Sequence, residues 1–232
     1  MDPLKIVYDK FGCDISEIKR IEVGERFIAL VLGNKNLGVC AKINPDFFVN
    51  KTVLEKPDFD NVDHRILLTA YYTAKLNYSA EYKNNADIVE DIIVGKYSSP
   101  VMIGYFSSLV ERIKNANINL AVFDLKIQNE EILPIELQKE YLLKSDSVII
   151  SSTAIINKTF SQIIEYTNSD ADIFIVGPSS ILCDGIFNTG NIKKIHGAVF
   201  NPEDEKIIEM ILDGKIPKEF LRHGKKVFLE RK

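Results

Sequence analysis

The sequence predicts an α/β protein: a small α/β unit followed by a doubly wound, mainly parallel sheet. Three observations predict it. Two continuous apolar runs, Val148-Ile149-Ile150 and Ile173-Phe174-Ile175-Val176, suit strands covered on both faces by helices. Strand-like and helix-like segments alternate from about residue 86 onward, the spacing of parallel-sheet folds. Helix-start and helix-stop residues punctuate that alternation.

At the amino end, helix-like residues run from Leu4 to Phe11, before strands Ile18 to Val23 and Phe27 to Leu32. The Gly33-Asn34-Lys35-Asn36 turn holds residue types that tolerate positive φ, so a third strand, Leu37 to Ile43, should complete a hairpin. Asn44 to Asp60 is polar, contains Pro45 and Pro57, and reads as a loop. Ile66, Leu67, Ala70, Ala74 and Leu76 then form a helical apolar stripe reaching about Tyr78. The polar patch Ser79 to Asn85 is the expected boundary between domains 1–82 and 83–232.

Beyond it, helices are expected over Ala86 to Val94 and Ser108 to Asn115. Strands are expected at Val101 to Ile103, Leu120 to Phe123, Val148 to Ile150, Ile173 to Val176 and Ile195 to Phe200. Ser108 with Glu111, and Thr159 with Gln162, fit the capping box. Asn201-Pro202 suits a helix start and Gly214 a helix stop.

Composition narrows the class. The 232 residues are 46% hydrophobic and 27% charged, values of an ordinary globular chain. A net charge of −4 offers no global attraction to nucleic acid or anionic lipid. The start lacks a secretion signal, and no apolar stretch reaches the roughly 20 residues that span a bilayer. Cys13, Cys40 and Cys183 are odd in number and widely spaced, so neither a disulfide framework nor a CxxC metal site is indicated. A cytoplasmic protein with reduced thiols is expected, with no nucleic-acid or membrane partner. The closing run Arg222, His223, Lys225, Lys226, Arg231 and Lys232 reads as a solvated basic end.

Ligands of parallel sheets sit beyond the carboxyl ends of the strands. The two apolar runs end in Ser151-Ser152-Thr153, with Asn157 and Thr159 just beyond, and in Gly177-Pro178-Ser179-Ser180. Hydroxyls and amides there could meet an anion at helix amino termini. Thr159 also reads as a simple cap, and Gly-Pro as simple punctuation. The strand at Val101 ends in Gly104-Tyr105-Phe106, where a dinucleotide fold places its glycine-rich turn. One glycine and two aromatics leave no room for a pyrophosphate in the standard pose. Asp124, about twenty residues on, either bonds a ribose or caps a strand end. His64, His196 and His223 are scattered, with His196 read as a packed strand residue, and Cys183-Asp184 is a weak metal pair.

Three segments, Val101 to Arg112 (VMIGYFSSLVER), Ile149 to Thr159 (IISSTAIINKT) and Ile175 to Ser180 (IVGPSS), resemble the putative heavy-metal chelation domain family. Ile21 to Leu30 (IEVGERFIAL) is similar to the small domain that precedes it there. The resemblance implies an enolase amino-terminal-like α+β domain, then a Rossmann-like domain, with a site at their interface. It touches Gly104, Phe106, Ser152, Thr153, Asn157, Thr159, Gly177, Pro178 and Ser179. The chain has Thr73-Ala74 where the family pattern carries Asn-Ala. Proposed family roles concern heavy-metal chelation or metal-containing cofactors, corrinoids among them.

Heavy metals favour thiolate and imidazole, whereas these motifs supply hydroxyls, amides and main-chain donors. A metal would therefore arrive already complexed by an anionic organic ligand. The expected cofactor is a heavy-metal ion or metal complex, and the expected partner a small-molecule or metal-complex ligand, with a homo-oligomer left open. Two other readings stand: an enzyme using a nucleoside cofactor such as S-adenosylmethionine through Asp124, or a non-catalytic assembly module. No general base can be named, Tyr105 and Asp124 being the candidates.

Overall fold

A computed structural model of the chain describes residues 1–79, 82–84, 87–127 and 129–231. The chain opens with helix α1 (Pro3–Phe11), capped by the Asp2 carboxylate, which accepts from the Leu4 N–H. Strands β1 (Ile18–Val23), β2 (Phe27–Leu32) and β3 (Leu37–Ala41) form an antiparallel sheet in that order. The β2–β3 hairpin forms as expected, with its positive φ carried by Lys35 at 72°. Helix α2 (Val62–Leu76) follows, and ten of its residues, Arg65 to Ala74, are buried.

All six residues of β2 are buried, because both faces of this small sheet are covered. Ile28, Leu30 and Leu32 join the main core with α2. Phe27, Ala29 and Val31 meet Ile207, Ile208 and Ile211 of helix α8 (Glu205–Leu212) and Phe220 of helix α9 (Pro217–Phe220). Residues from the far end of the chain therefore close the first sheet.

The boundary patch falls partly outside the described residues, as does the expected helix start at Ala86. The second region holds β4 (Lys83–Asn84), α3 (Ile88–Gly95), β5 (Pro100–Ile103), α4 (Ser107–Asn115), β6 (Ala121–Phe123) and α5 (Gln138–Lys144). It continues with β7 (Ser147–Ser151), α6 (Thr153–Ile156), α7 (Phe160–Tyr166), β8 (Asp172–Val176), β9 (Ile192–Val199) and, after α8 and α9, β10 (Lys225–Glu230). Among the described residues the strand order is β4-β10-β9-β8-β7-β5-β6. β6, β5, β7, β8 and β9 are mutually parallel, while β10 runs antiparallel to both neighbours. Side chains alternate across this sheet. Met102, Ile149, Phe174 and Val176 face α3 and α4, and Ile103, Ile150 and Ile175 face the main core with α6 and α7. This is the mainly parallel, helix-covered sheet that the apolar runs predict.

Three local expectations are corrected. Helix α4 starts at Ser107 behind an extended Phe106, so Ser108 lies inside the helix and caps nothing. Thr159 precedes α7 with helical φ and ψ, and its hydroxyl donates to Asn157 Oδ1 at 2.7 Å rather than closing a box with Gln162. Asp204 caps α8, accepting from Ile207 N, and Asn201 only bonds that cap. The basic end is solvated as expected, with Arg222, His223, Lys225, Lys226 and Arg231 exposed, and it contains strand β10, in which Lys225 and Lys226 precede the apolar Val227, Phe228 and Leu229 that pair with β9.

Candidate functional site

The order of the sheet sets the site. From β5 the chain steps outward to β6, then returns through α5 to place β7 on the opposite flank of β5. That reversal makes a topological switch point beyond the carboxyl ends of β5 and β7, the general position of the ligand crevice in open α/β sheets. Ile103 pairs with Ile150, so Gly104 and Ser151 face each other across the next step. Gly104 has φ of 95°, and a Cβ there would stand 2.6 Å from the Ser151 Cβ. On the adjoining strand Gly177 has φ of 135°, and its Cβ would stand 2.6 Å from the Ser152 hydroxyl. Both turns need glycine for conformation and for space.

The crevice gathers part of the expected set. Ser151 Oγ and Thr153 Oγ1 lie 2.8 Å apart, with Thr153 half-exposed at the first turn of α6 and Ser152 buried behind it. Tyr105 and Phe106 are half-buried on the β5 side. The Tyr105 hydroxyl donates to Glu131 at 2.5 Å, and that bond, with burial adding to it, raises its pKa. Glu131 is in turn held by Lys114 at 2.7 Å.

Other candidates are engaged elsewhere. Asp124 accepts from Tyr105 N on one oxygen, and from Lys126 N and Ile127 N on the other, at 2.8 to 2.9 Å. Its carboxylate staples the turn after β6 to the turn after β5, the strand-end role rather than a free ribose acceptor. Ser179 is buried, and its Oγ accepts from Ala41 N of the first sheet at 2.9 Å. Pro178 is buried within the turn, where Ser180 N bonds Gly177 O. The Ser180 hydroxyl is fully buried. Asn157 and Thr159 bond each other at the far end of α6.

Two residues that the motif reading passed over hold the regions together. Asn77, at the end of α2, donates to Ser180 O at 2.8 Å and accepts from Leu182 N at 2.9 Å. An amide from this helix thus reaches the Gly177 turn even though Thr73 replaces the family's Asn. Arg65, 1% exposed, spends all five N–H donors on Asp2, Phe59 O, Ile155 O and Ile156 O. A polar residue inside an otherwise apolar helix stripe was the available signal for Arg65. Asn77 carried none, because its partners lie more than one hundred residues away.

A family model described as "DUF364: Putative heavy-metal chelation" matches residues 92–230. The chain belongs to the DUF364 family. Among solved structures, a DUF364 protein of unknown function from Pyrococcus horikoshii matches with a TM-score of 0.80 at 19% identity, over 99% of both chains. A DUF364 protein of unknown function from Desulfitobacterium hafniense DCB-2 matches with a TM-score of 0.75 at 16% identity, over 98% of both chains. These likenesses show the fold. No curated protein matches the chain.

The donor chemistry fits a bare heavy-metal ion poorly. Among the described residues no three His, Cys, Asp or Glu side chains gather as a metal would require. Burial pushes the Cys13 thiol up to about 12, against the pull of Lys75, and raises Cys40 and Cys183 as well. None of the three is therefore a ready thiolate at neutral pH. His196 Nε2 approaches Asp91 Oδ2 at 3.3 Å, yet the Lys194 ammonium already pairs with the other Asp91 oxygen. No helix among the described residues is long and apolar enough to cross a membrane.

Proposed function

We propose that this DUF364 chain binds an anionic organic ligand, free or carrying a heavy-metal ion, in the crevice between the ends of β5 and β7. The observation that carries the reading is the reversal of strand order at β5, with Gly104 set against Ser151 and Thr153 beside it. Hydroxyls and main-chain groups there suit oxygen-rich anions, and any metal is held chiefly by its organic ligand. Gly104, Tyr105, Phe106, Thr153 and Gly177 form the contact set, while the buried Ser152 and Asp124, Asn157, Thr159, Pro178, Ser179 and Ser180 shape its surroundings. The same reading takes 1–82 and 83–232 as the two domains and a small molecule as the partner.

A native mass spectrum of gently purified protein, beside its denatured mass, tests this. A discrete excess mass of an organic compound is expected, and Thr153→Val should lose it. Tight stoichiometric binding of Cd2+ alone by the stripped chain would overturn the reading.

A further inference from the structure

A cavity of about 350 Å3 opens at the amino ends of β5 and β6, on the face of the sheet that packs α5. Its apolar lining is Pro100 and Val101 of β5, Leu120 and Ala121 where β6 begins, Leu133 of the following segment and Tyr141 of α5. The four residues of β5, about 10 Å of strand, separate it from Gly104 at the opposite end. The volume lies at the lower end of the roughly 300–1,000 Å3 range of small-molecule pockets, room for a fused bicyclic ring.

Local choices keep this space open and give it a flat wall. Ala121 is half-buried, while Val122 and Phe123 after it are fully buried, so the smallest side chain of β6 stands at the cavity. The Tyr141 ring is held edge-on to Phe123, with centroids 5.7 Å apart and planes at 67°. Leu133 N donates to Val122 O at 2.8 Å, which fixes the segment carrying Leu133 to the edge of β6.

The charged rim is already engaged. The Glu131 carboxylate accepts from the Tyr105 hydroxyl at 2.5 Å and from Lys114 at 2.7 Å, and Lys144 pairs with Glu140 at 2.7 Å. The Ser98 and Ser99 hydroxyls donate to Asp146 and to Lys144 O. Among the described residues, the Asn119 amide and the Tyr141 hydroxyl have no protein partner. A ligand therefore meets apolar walls, no unpaired charge, and an amide offering one acceptor beside one donor. Asparagine makes that two-point pair with the edge of adenine.

We infer that this cavity is a second binding site, for an uncharged, flat bicyclic heterocycle of the adenine class carried by a free nucleoside. The ring takes the Tyr141 wall, and its donor–acceptor edge meets Asn119. The net charge of −4 disfavours a nucleic-acid strand as the source of the base. The site is independent of the anion reading above.

Amide chemical-shift mapping of the full chain tests it, with adenosine and with purine riboside, which lacks the amino group. Adenosine should shift Leu120, Ala121, Leu133 and Tyr141 and leave Ser151 and Gly177 in place. Purine riboside should shift the same residues with about fivefold weaker affinity, the loss of one hydrogen bond. Asn119→Leu, at an exposed position, should erase that difference. Ala121→Leu should fill the cavity and abolish binding of both, with an unchanged thermal melt verifying the fold. No shifts with adenosine, shifts confined to Gly104, Ser151 and Gly177, or full binding by Ala121→Leu overturns the site. Equal binding of the two nucleosides, or a difference that survives Asn119→Leu, overturns the adenine-class assignment.

Discussion

Arg65→Met is the sharpest test of how the two sheets are joined. The guanidinium is 1% exposed, and each of its five N–H groups has an acceptor. Nε donates to Ile156 O at 3.0 Å, and the two terminal nitrogens share the Asp2 carboxylate, Phe59 O and Ile155 O. The side chain thereby caps the carboxyl end of α6, anchors the start of α1 and closes the loop before α2. Methionine fills much of the volume but supplies no donor. It leaves three carbonyls short of a partner and Asp2 without its cation. Breaking a buried pair in this way costs about 3–5 kcal/mol. With a urea dependence of about 2.5 kcal/mol/M, the unfolding midpoint should fall by about 1.2–2 M. Arg65→Lys should recover less than half of that, because one ammonium cannot span acceptors arranged for a planar fork. A loss below about 1 kcal/mol for Arg65→Met, at unchanged urea dependence, would refute the reasoning.

Two further outcomes follow from particular contacts. Gly104→Ala should cost about 2–4 kcal/mol, from the φ of 95° and the 2.6 Å approach to Ser151 Cβ together. Adding Ser151→Gly should return the steric part and leave about 1–2 kcal/mol, read from urea midpoints; no recovery would mean that Ser151 is not the obstacle. Burial acts to raise the Asp91 carboxyl, but His196 and Lys194 outweigh it and hold the carboxyl below its ordinary value. A depressed carboxyl contributes stability that is full above about pH 3.9 and is lost as pH falls through the lower folded value. Thermal melts between pH 2 and 5 should therefore show Asp91→Asn losing to the unsubstituted chain above about pH 4, with the gap narrowing below it. A constant gap would exclude the linkage.

Much of the architecture was legible in local patterns. Ile149-Ile150 and Phe174-Ile175 are uninterrupted because β7 and β8 are covered on both faces, and that demand is written residue by residue. The hairpin turn and the α2 stripe are equally local. The strand within the solvated basic end was missed because its charges outnumber the apolar Val227-Phe228-Leu229, whose value depends on pairing with β9. The Thr159 cap failed for a related reason: Asn157 offered the hydroxyl a nearer partner.

The candidate site divides along the same line. Periodicity and turn chemistry by themselves determined that strands would end at Gly104, Ser151 and Gly177, since these depend on neighbours in the chain. Which ends would be adjacent was decided only by strand order: β7 on one flank of β5 set Gly104 against Ser151, and β6 on the other brought Asp124 to the Tyr105 N–H. Arg65 and Asn77 likewise found their partners only in three dimensions, 90 to 105 residues away along the chain. Strand order and buried polar pairing are energies of the packed whole, shared among segments that no local pattern relates.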